Sequence, residues 1–229
     1  CGSFSKSSSL VGYRGLLWKP IGFNLSSYEL MFENKMLIKS LLNSIFLVVF
    51  GTAVNVISTA ICAYVLSRKN VFWNGLVSKL IVLTMFFGGG LIPTYLLVAK
   101  TLGMADSYLA LIIPNAINVY YMIIMRTSFK SIPDDIEEAV KIDGGGHWCM
   151  LFKMVIPLSK AIIAVMVLYY GVGHWNAWFE ASIYIRDRSL FPLQLVLRDI
   201  LIANDTSTMT TSVQSMDQEA VGETIKYAI

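Results

Sequence analysis

Long apolar stretches separated by polar segments restrict the fold of this chain more than any other feature. The first of them covers residues 41–66, and about 20 apolar residues are enough for a helix to cross a bilayer. Charged residues make up only 14% of the chain, against about 25% in soluble domains. The sequence therefore predicts an all-α integral membrane protein, and not a soluble domain with an unusually apolar core.

Four apolar stretches are long enough to be membrane spans. They cover residues 41–66, 77–98, 108–125 and 161–179. We expect Gly88–Gly90 and Pro93 to kink or unwind the second span, and Pro114 to break the third. Residues 190–202 are apolar but too short to span, so this stretch is re-entrant, interfacial or packed on the outer face.

The distribution of Lys and Arg predicts the orientation, because these residues are enriched in short cytoplasmic loops. The loop after the first predicted span carries Arg68, Lys69 and Lys79 without an acidic residue, and the long loop of residues 126–160 carries five basic residues. Both loops are therefore predicted to be cytoplasmic. The leading segment, residues 1–39, is then external, although its five basic residues run against the rule.

The second of these loops contains a polar, glycine-rich stretch, residues 137–157, which we call the polar island. Ser131 is predicted to cap a short helix with Pro133 in its first turn, and the helix should stop at Gly144–Gly146. A second short helix over residues 147–155 should then meet Pro157 and turn into the fourth span. From the residues alone, an ordinary solvated loop with amphipathic helices explains the island equally well.

The order of residues in the island resembles a known motif. Glu138-Ala139, Asp143-Gly144, Phe152 and Ile156-Pro157 are similar to the EAA loop of permease subunits of bacterial binding-protein-dependent ABC importers. Val140 and Gly145 replace alanines that are usual in that loop. The resemblance implies that the loop docks in a groove of an ATPase subunit and transmits its closure. The implied docking residues are Glu137, Glu138, Ala139, Asp143, Gly144, Phe152 and Pro157.

The resemblance extends over essentially the whole chain. Segments such as LTMFFGGGLIPTYLLV and VGHWNAWFEASIYIRDRSLFPLQLVLRDIL resemble the carbohydrate-uptake branch of these permeases, most of all the LplC/YtcP-like group. This implies a type I ABC importer permease fold with six spans when intact, four of them complete in this sequence. One span would precede Cys1, and the last would begin near Glu223.

The implied organisation has four parts in a multi-pass protein of the bacterial cell membrane, surrounded by lipid. They are an external segment of residues 1–39, a four-span core of residues 40–179 with the coupling loop at 126–160, an external loop of residues 180–222, and the start of a last span at 223–229. In related importers the external loop touches the solute-binding protein, whereas the alternative is a lid over the span ends.

The resemblance also implies function and partners. The chain would translocate an oligosaccharide or other carbohydrate that an extracellular solute-binding protein delivers, beside a second related permease subunit and driven by separate ABC ATPase subunits. The sequence contains no G-x-x-x-x-G-K-[ST], H-E-x-x-H or G-x-S-x-G motif, so we expect a transport subunit and not an enzyme. No cofactor, metal site or nucleic-acid partner is expected; His147 and Cys149 form only a lone H-x-C, and the net charge is +3.

Candidate residues for the substrate path come mainly from the end of the fourth predicted span. An ionisable residue in a span is a functional hypothesis, and tryptophan faces beside an amide suit the C–H faces and hydroxyls of a sugar. These candidates are His174, Trp175, Asn176 and Trp178, and Asn55, Gly89 and Asn118 are added from the other spans. The alternatives are an aromatic belt, with His174 satisfied by a neighbouring helix, and glycines that serve helix packing.

A rival class of function is a membrane-embedded enzyme or receptor with His174, Trp175 and Asn176 as its site. No nucleophile–base pair or metal cluster in the sequence supports an enzyme. A proton-coupled carrier is the weaker alternative, because the predicted spans lack a cluster of carboxylates.

Overall fold

The computed structural model describes residues 34–68 and 73–202, and every regular element in those ranges is helical. The helices are α1 Lys35–Ser67, α2 Asn74–Thr84, α3 Leu91–Thr101, α4 Leu109–Ile112, α5 Val119–Lys130, α6 Asp134–Ile142, α7 His147–Leu158, α8 Lys160–Trp175, α9 Trp178–Tyr184 and α10 over residues 193–202. The predicted segment before residue 34, residues 203–222 of the predicted external loop and the last span near Glu223 lie outside the described residues.

Helix α1 contains the first predicted span. It is 33 residues long, and in the described ranges it alone is long and apolar enough to cross a membrane, unless the bent pair of α7 and α8 is counted as one span. The Asn34 side chain caps its start by accepting from the Met36 N–H at 3.0 Å. Apolar side chains such as Leu42 and Val49 are exposed on its surface. Such an apolar face is suited to contact with lipid or with another apolar surface.

The second and third predicted spans are each divided in two. Residues 77–98 fall into α2 and α3, and Gly90 adopts a φ of 82° at the start of α3. Residues 108–125 fall into α4 and α5, and Pro114 lies in the break between them. The predicted breaks at Gly88–Gly90 and at Pro114 are confirmed. Glycine favours non-helical backbone, and proline lacks an N–H and clashes with the preceding turn.

The fourth predicted span, residues 161–179, also ends earlier than expected. Helix α8 stops at Trp175, and the Asn176 side chain donates to the Val172 carbonyl at 3.0 Å. The same carbonyl also accepts from the Asn176 N–H at 3.1 Å, so Asn176 closes the helix with both its backbone and its side chain. The chain then starts again as α9 at Trp178.

The short apolar stretch at residues 190–202 packs on protein. A 3-10 turn at Arg188–Leu190 leads into α10. The Asn43 side chain donates to the Ser189 and Phe191 carbonyls at 2.9 and 3.2 Å, and the Ser44 hydroxyl accepts from the Leu193 N–H at 2.8 Å. These bonds hold the stretch against the first half of α1.

Two apolar clusters form the core of the described part, and α1 contributes to both. One cluster joins the second half of α1 to α5, α6, α7 and α8, and its buried members include Ala63, Phe129, Val140, Leu151 and Met166. The other includes Leu47, Val98, Leu111, Tyr184 and Leu195. Helix α1 therefore links the polar island to the opposite end of the core.

Candidate coupling loop and cavity

The polar island folds as two helices joined by a glycine turn. Helix α6 ends at Ile142, Gly144 takes a φ of 75°, and the Gly145 N–H donates to the Val140 carbonyl at 2.7 Å. Positive φ favours glycine because it has no Cβ. The predicted helix–turn–helix and the stop at the glycines are confirmed.

The start of α6 differs in one detail from the prediction. Ser131 does not cap it, since its hydroxyl donates to the Ser128 carbonyl at 2.7 Å and closes the end of α5. Pro133, in an extended conformation, occupies the cap position just before α6. Three acidic residues follow in the first turn, where the helix dipole stabilises negative charge.

The second arm of the island is longer than predicted. Helix α7 continues through Pro157 to Leu158, with a π-helical stretch at Met150–Val155, and it meets α8 at an angle of 86°. The turn toward the fourth predicted span therefore lies at Ser159, not at Pro157. Pro157 follows the π-helical stretch and stands one residue before the end of α7.

All the predicted docking residues except Glu137 lie on the surface of the island. They are Glu138, Ala139, Asp143, Gly144, Phe152 and Pro157. Two apolar residues that we did not select share this surface, namely Ile142, 85% exposed, and Trp148, 66% exposed. The Trp148 ring stacks on Phe152 with a centroid distance of 6.0 Å. Large apolar residues inside a polar loop were the signal that could have identified them.

Glu137 instead points into the protein. Its carboxylate accepts from Arg68 at the end of α1 at 2.8 Å and from Lys141 at 2.9 Å. Burial raises the pKa of this carboxyl, but the hydrogen bonds from Arg68 and Lys141 outweigh that effect, and the net result is a pKa below the ordinary value. The carboxylate is therefore ionised at neutral pH, and its stabilising contribution is lost only as the pH falls through the lowered pKa.

A cavity of about 260 Å³ lies between α1, α5 and α8, and its lining includes residues of both core clusters, such as Tyr170 and Leu111. It brings together three of the predicted path residues, Asn55, Asn118 and His174. Its wall also contains the rings of Tyr121, Tyr169 and Tyr170 and the carboxylate of Glu180. The cavity thus combines amide, hydroxyl and aromatic groups.

The remaining predicted path residues lie elsewhere. Gly89 is exposed in the break between α2 and α3, and Trp175 is partly exposed. The Asn176 side chain is hydrogen-bonded to the end of its own helix. The Arg198 guanidinium lies over the Trp178 ring, 4.2 Å from the ring centroid. The side chains of His174, Trp175 and Asn176 do not converge, so the geometry gives no support to an enzyme or receptor site made of these three.

Hydrogen bonds across the cavity wall join α1, α5 and α8. Asn55 Nδ2 lies 3.0 Å from His174 Nε2, and both residues are buried. The Thr59 and Tyr170 hydroxyls are 2.7 Å apart, and the Tyr170 oxygen accepts from the Asn118 N–H at 3.0 Å. His174 is therefore satisfied by a neighbouring helix, as one of the alternatives proposed.

Removing the Tyr170 hydroxyl should destabilise this wall. In Tyr170→Phe, the Thr59 hydroxyl and the Asn118 N–H both lose a partner, and we expect a loss of about 1–3 kcal/mol in the free energy of unfolding. Thermal unfolding of the full-length protein in detergent measures the effect. Tyr169→Phe is the matched control, because the Tyr169 ring stacks on Tyr121 and its hydroxyl has no hydrogen bond among the described residues. Equal melting temperatures for the two variants would contradict the prediction.

Comparison with known proteins places these features in a family. A scan against models of protein families finds no match. The polygalacturonan/rhamnogalacturonan transport system permease protein YtcP of Bacillus subtilis (strain 168) is 39% identical over 227 residues, which cover 99% of this chain and 79% of the relative. Protein LplC of the same organism is 40% identical over 215 residues, 93% of this chain and 72% of LplC.

The chain belongs to the carbohydrate-uptake branch of ABC importer permeases. This permease also matches a solved structure of a bacterial ABC transporter involved in the import of the acidic polysaccharide alginate, with a TM-score of 0.82, 31% sequence identity, and coverage of 86% of this chain and 70% of the other. The family predicted from the island and the apolar segments is confirmed. Permeases are transport components and not enzymes, so the rival class is not favoured.

Proposed function

We propose that this permease forms part of the membrane path of an ABC importer in the bacterial cell membrane. It passes an oligosaccharide or other carbohydrate that an extracellular solute-binding protein delivers, beside a second permease subunit. Separate ATPase subunits supply the energy through the polar island. The observation that carries the proposal is the uncovered surface of the island, in a chain whose relatives are permeases.

The island surface has the composition of a docking site. Ile142, Trp148 and Phe152 expose apolar area next to the carboxylates of Glu138 and Asp143. A small loop gains nothing from exposing large apolar side chains unless a partner covers them. The glycine turn, closed by the Gly145 N–H on the Val140 carbonyl, joins α6 and α7 into one helix–turn–helix, which suits insertion into a groove of an ATPase subunit.

The membrane arrangement is also part of the proposal. We place six spans in the intact protein and four in this chain, with the island on the cytoplasmic side. In this arrangement α2 with α3, and α4 with α5, are broken spans. Irregular backbone at membrane depth is tolerated where it is buried in protein or faces a cavity. The break before α5 satisfies this condition, since Pro114, Asn115 and Asn118 line the cavity.

The cavity is the proposed contact of this subunit with the sugar. Tyrosine rings suit the C–H faces of a pyranose, and the amides of Asn115 and Asn118 can bond its hydroxyls. The named transport systems of the relatives act on saccharides, which supports this class of substrate. Gly89, Trp175, Asn176 and Trp178 are proposed to line the path outside this cavity.

Copurification tests the docking role. The full-length protein in mild detergent should bring along a P-loop ATPase and a second permease. The double variant Glu138→Lys/Gly144→Asp should lose the ATPase alone, because a reversed charge and a strained turn then face the groove. Gly103→Asp is the matched control, since Gly103 has a similar φ of 62° and open space around it, but lies outside the island.

Two outcomes would contradict the proposal. A wild-type protein that is stable and purifies alone would contradict the proposed assembly with an ATPase and a second permease. Retention of the ATPase by the double variant at the wild-type level would exclude docking through this surface.

A further inference from the structure

The end of α1 contacts both arms of the polar island. Arg68 Nη1 bonds Glu137 on α6 at 2.8 Å, and the Tyr64 hydroxyl lies 3.3 Å from His147 Nδ1 on α7. The Arg68 guanidinium also stacks over the Tyr64 ring at 4.8 Å. A single turn of α1 therefore holds the two helices on either side of the glycine turn.

The Arg68–Glu137 ion pair is partly shielded from water. The side chains are 10% and 17% exposed, whereas Lys141, the second cation on the same carboxylate, is 52% exposed. Exposed ion pairs contribute little, because water and salt screen them. Removing one partner of a buried pair is costly, because the other charge is left without compensation. Of the two cations, Arg68 therefore holds Glu137 in place.

Apolar packing makes the same connection. Ala60, Ala63 and Tyr64 of α1 belong to one buried cluster with Val140 of α6 and Leu151 of α7. In addition, Arg126 of α5 donates from Nε to the carbonyl of Leu66 at the end of α1, at 2.8 Å. The last two turns of α1 cannot shift relative to the island without breaking this packing.

We propose that Arg68 is a positioning residue that makes α1 move with the polar island, so that Glu137 serves as an internal link and not as an ATPase contact. The inference rests on the proposed function, because it assumes an island moved by an ATPase. The inference gives Glu137 a role different from that of the exposed docking residues of the island. The exposed face engages the partner, and the inward carboxylate passes the displacement to α1. Substitutions along such a connection change coupling free energies by about 0.5–2 kcal/mol.

Spin-label distances test the link without a known substrate. The three native cysteines are replaced by serine, and labels are placed at Ile57 on α1 and Asp135 on α6, which are both exposed. The assembled importer in lipid nanodiscs is measured with and without ATP and vanadate. For the wild-type background, the link predicts a single distance between the two labels, and this distance is the same with and without ATP and vanadate.

The variant Arg68→Gln should separate the two labels' motions. We expect a second distance after ATP–vanadate trapping, with the ratio of displaced to native-distance molecules raised about tenfold over the wild-type background, which corresponds to about 1.4 kcal/mol. ATP hydrolysis and ATPase copurification should continue, because the docking surface is intact. The charge swap Arg68→Glu/Glu137→Arg should restore the single distance in part, whereas each reversal alone should not.

Lys141→Gln is the matched control, since it removes the exposed cation from the same carboxylate, and it should keep the single distance. The inference fails if the wild-type distance itself changes on trapping, if Arg68→Gln keeps one distance, or if Lys141→Gln acts as strongly as Arg68→Gln. Loss of the ATPase from the wild-type complex would instead contradict the proposed function, so the two failures are distinguishable.

Discussion

A single methyl group at Gly145 should weaken the binding of the proposed ATPase partner to this permease. A Cβ built there lies 2.6 Å from Val140 Cγ1 and 2.9 Å from the Val140 carbonyl oxygen. Val140 is buried in the core cluster, and its carbonyl accepts the Gly145 N–H, so neither atom can move away without opening the turn. Overpacking of this kind costs about 1–3 kcal/mol. Because α6 and α7 would then meet at a different angle, we expect Gly145→Ala to weaken ATPase binding by about tenfold or more.

The neighbouring glycines provide controls for Gly145→Ala. Gly146 has an ordinary φ of −84°, and no atom lies within 4 Å of the position that a Cβ would take, so Gly146→Ala should bind the ATPase normally. Gly144 has open space but a φ of 75°, so Gly144→Asn should be better tolerated than Gly144→Val. Titration of purified ATPase onto the permease in detergent measures all four variants. Equal affinities for Gly145→Ala and Gly146→Ala would contradict the prediction.

The second large effect is expected at Gly51, where α1 meets α8. A Cβ there would lie 2.7 Å from His174 Nε2 and 2.8 Å from Cε1. The imidazole is held by Asn55, and both residues are buried. Gly51→Ala must therefore push the ring away, and we expect a loss of about 2–5 kcal/mol from overpacking plus the broken hydrogen bond. The melting temperature of the full-length protein in detergent should fall accordingly.

Gly171 on α8 is the matched control for Gly51. A Cβ at Gly171 would make only ordinary contacts, at 3.7 Å to Thr52 Oγ1 and 3.9 Å to Val48 Cγ1. Gly171→Ala should therefore melt close to the wild type. The double variant Gly51→Ala/His174→Ala should recover part of the packing loss, since the ring is gone. A Gly51→Ala protein as stable as Gly171→Ala would show that the two helices are not in close contact.

The features of the fold that depend on residues adjacent in the sequence were predictable. Glycine and proline act through their own backbone, so the breaks at Gly88–Gly90 and Pro114 and the turn at Gly144 could be located. The predicted positions of helix ends were less accurate. Ser131 closes α5 instead of starting α6, because the same hydroxyl can bond either helix, and the choice depends on how the loop packs.

The contacts that join distant residues were not predictable. Asn55 and His174 were both selected as polar residues in apolar runs, but their pairing spans 119 positions, and no local pattern encodes it. Arg68 was counted only as a positive charge for topology. Its bond to Glu137 depends on the angle at which α6 packs on α1, which the helical period of either segment does not specify. The motif identified Glu137 as a member of the island but not the direction of its side chain.

The unbroken second half of α1 has a mechanical consequence. Asn55 faces the cavity, and Ser67 ends the helix beside Arg68, so about 18 Å of regular helix separates the cavity from the ion pair. A tilt of roughly 10° about Asn55 would swing the far end by about 3 Å on that radius. Such an arc exceeds what a 2.8 Å hydrogen bond can absorb. Under the proposed link, the helix would act as a stiff lever, and a small rotation at the cavity would correspond to a displacement of a few ångströms at the island.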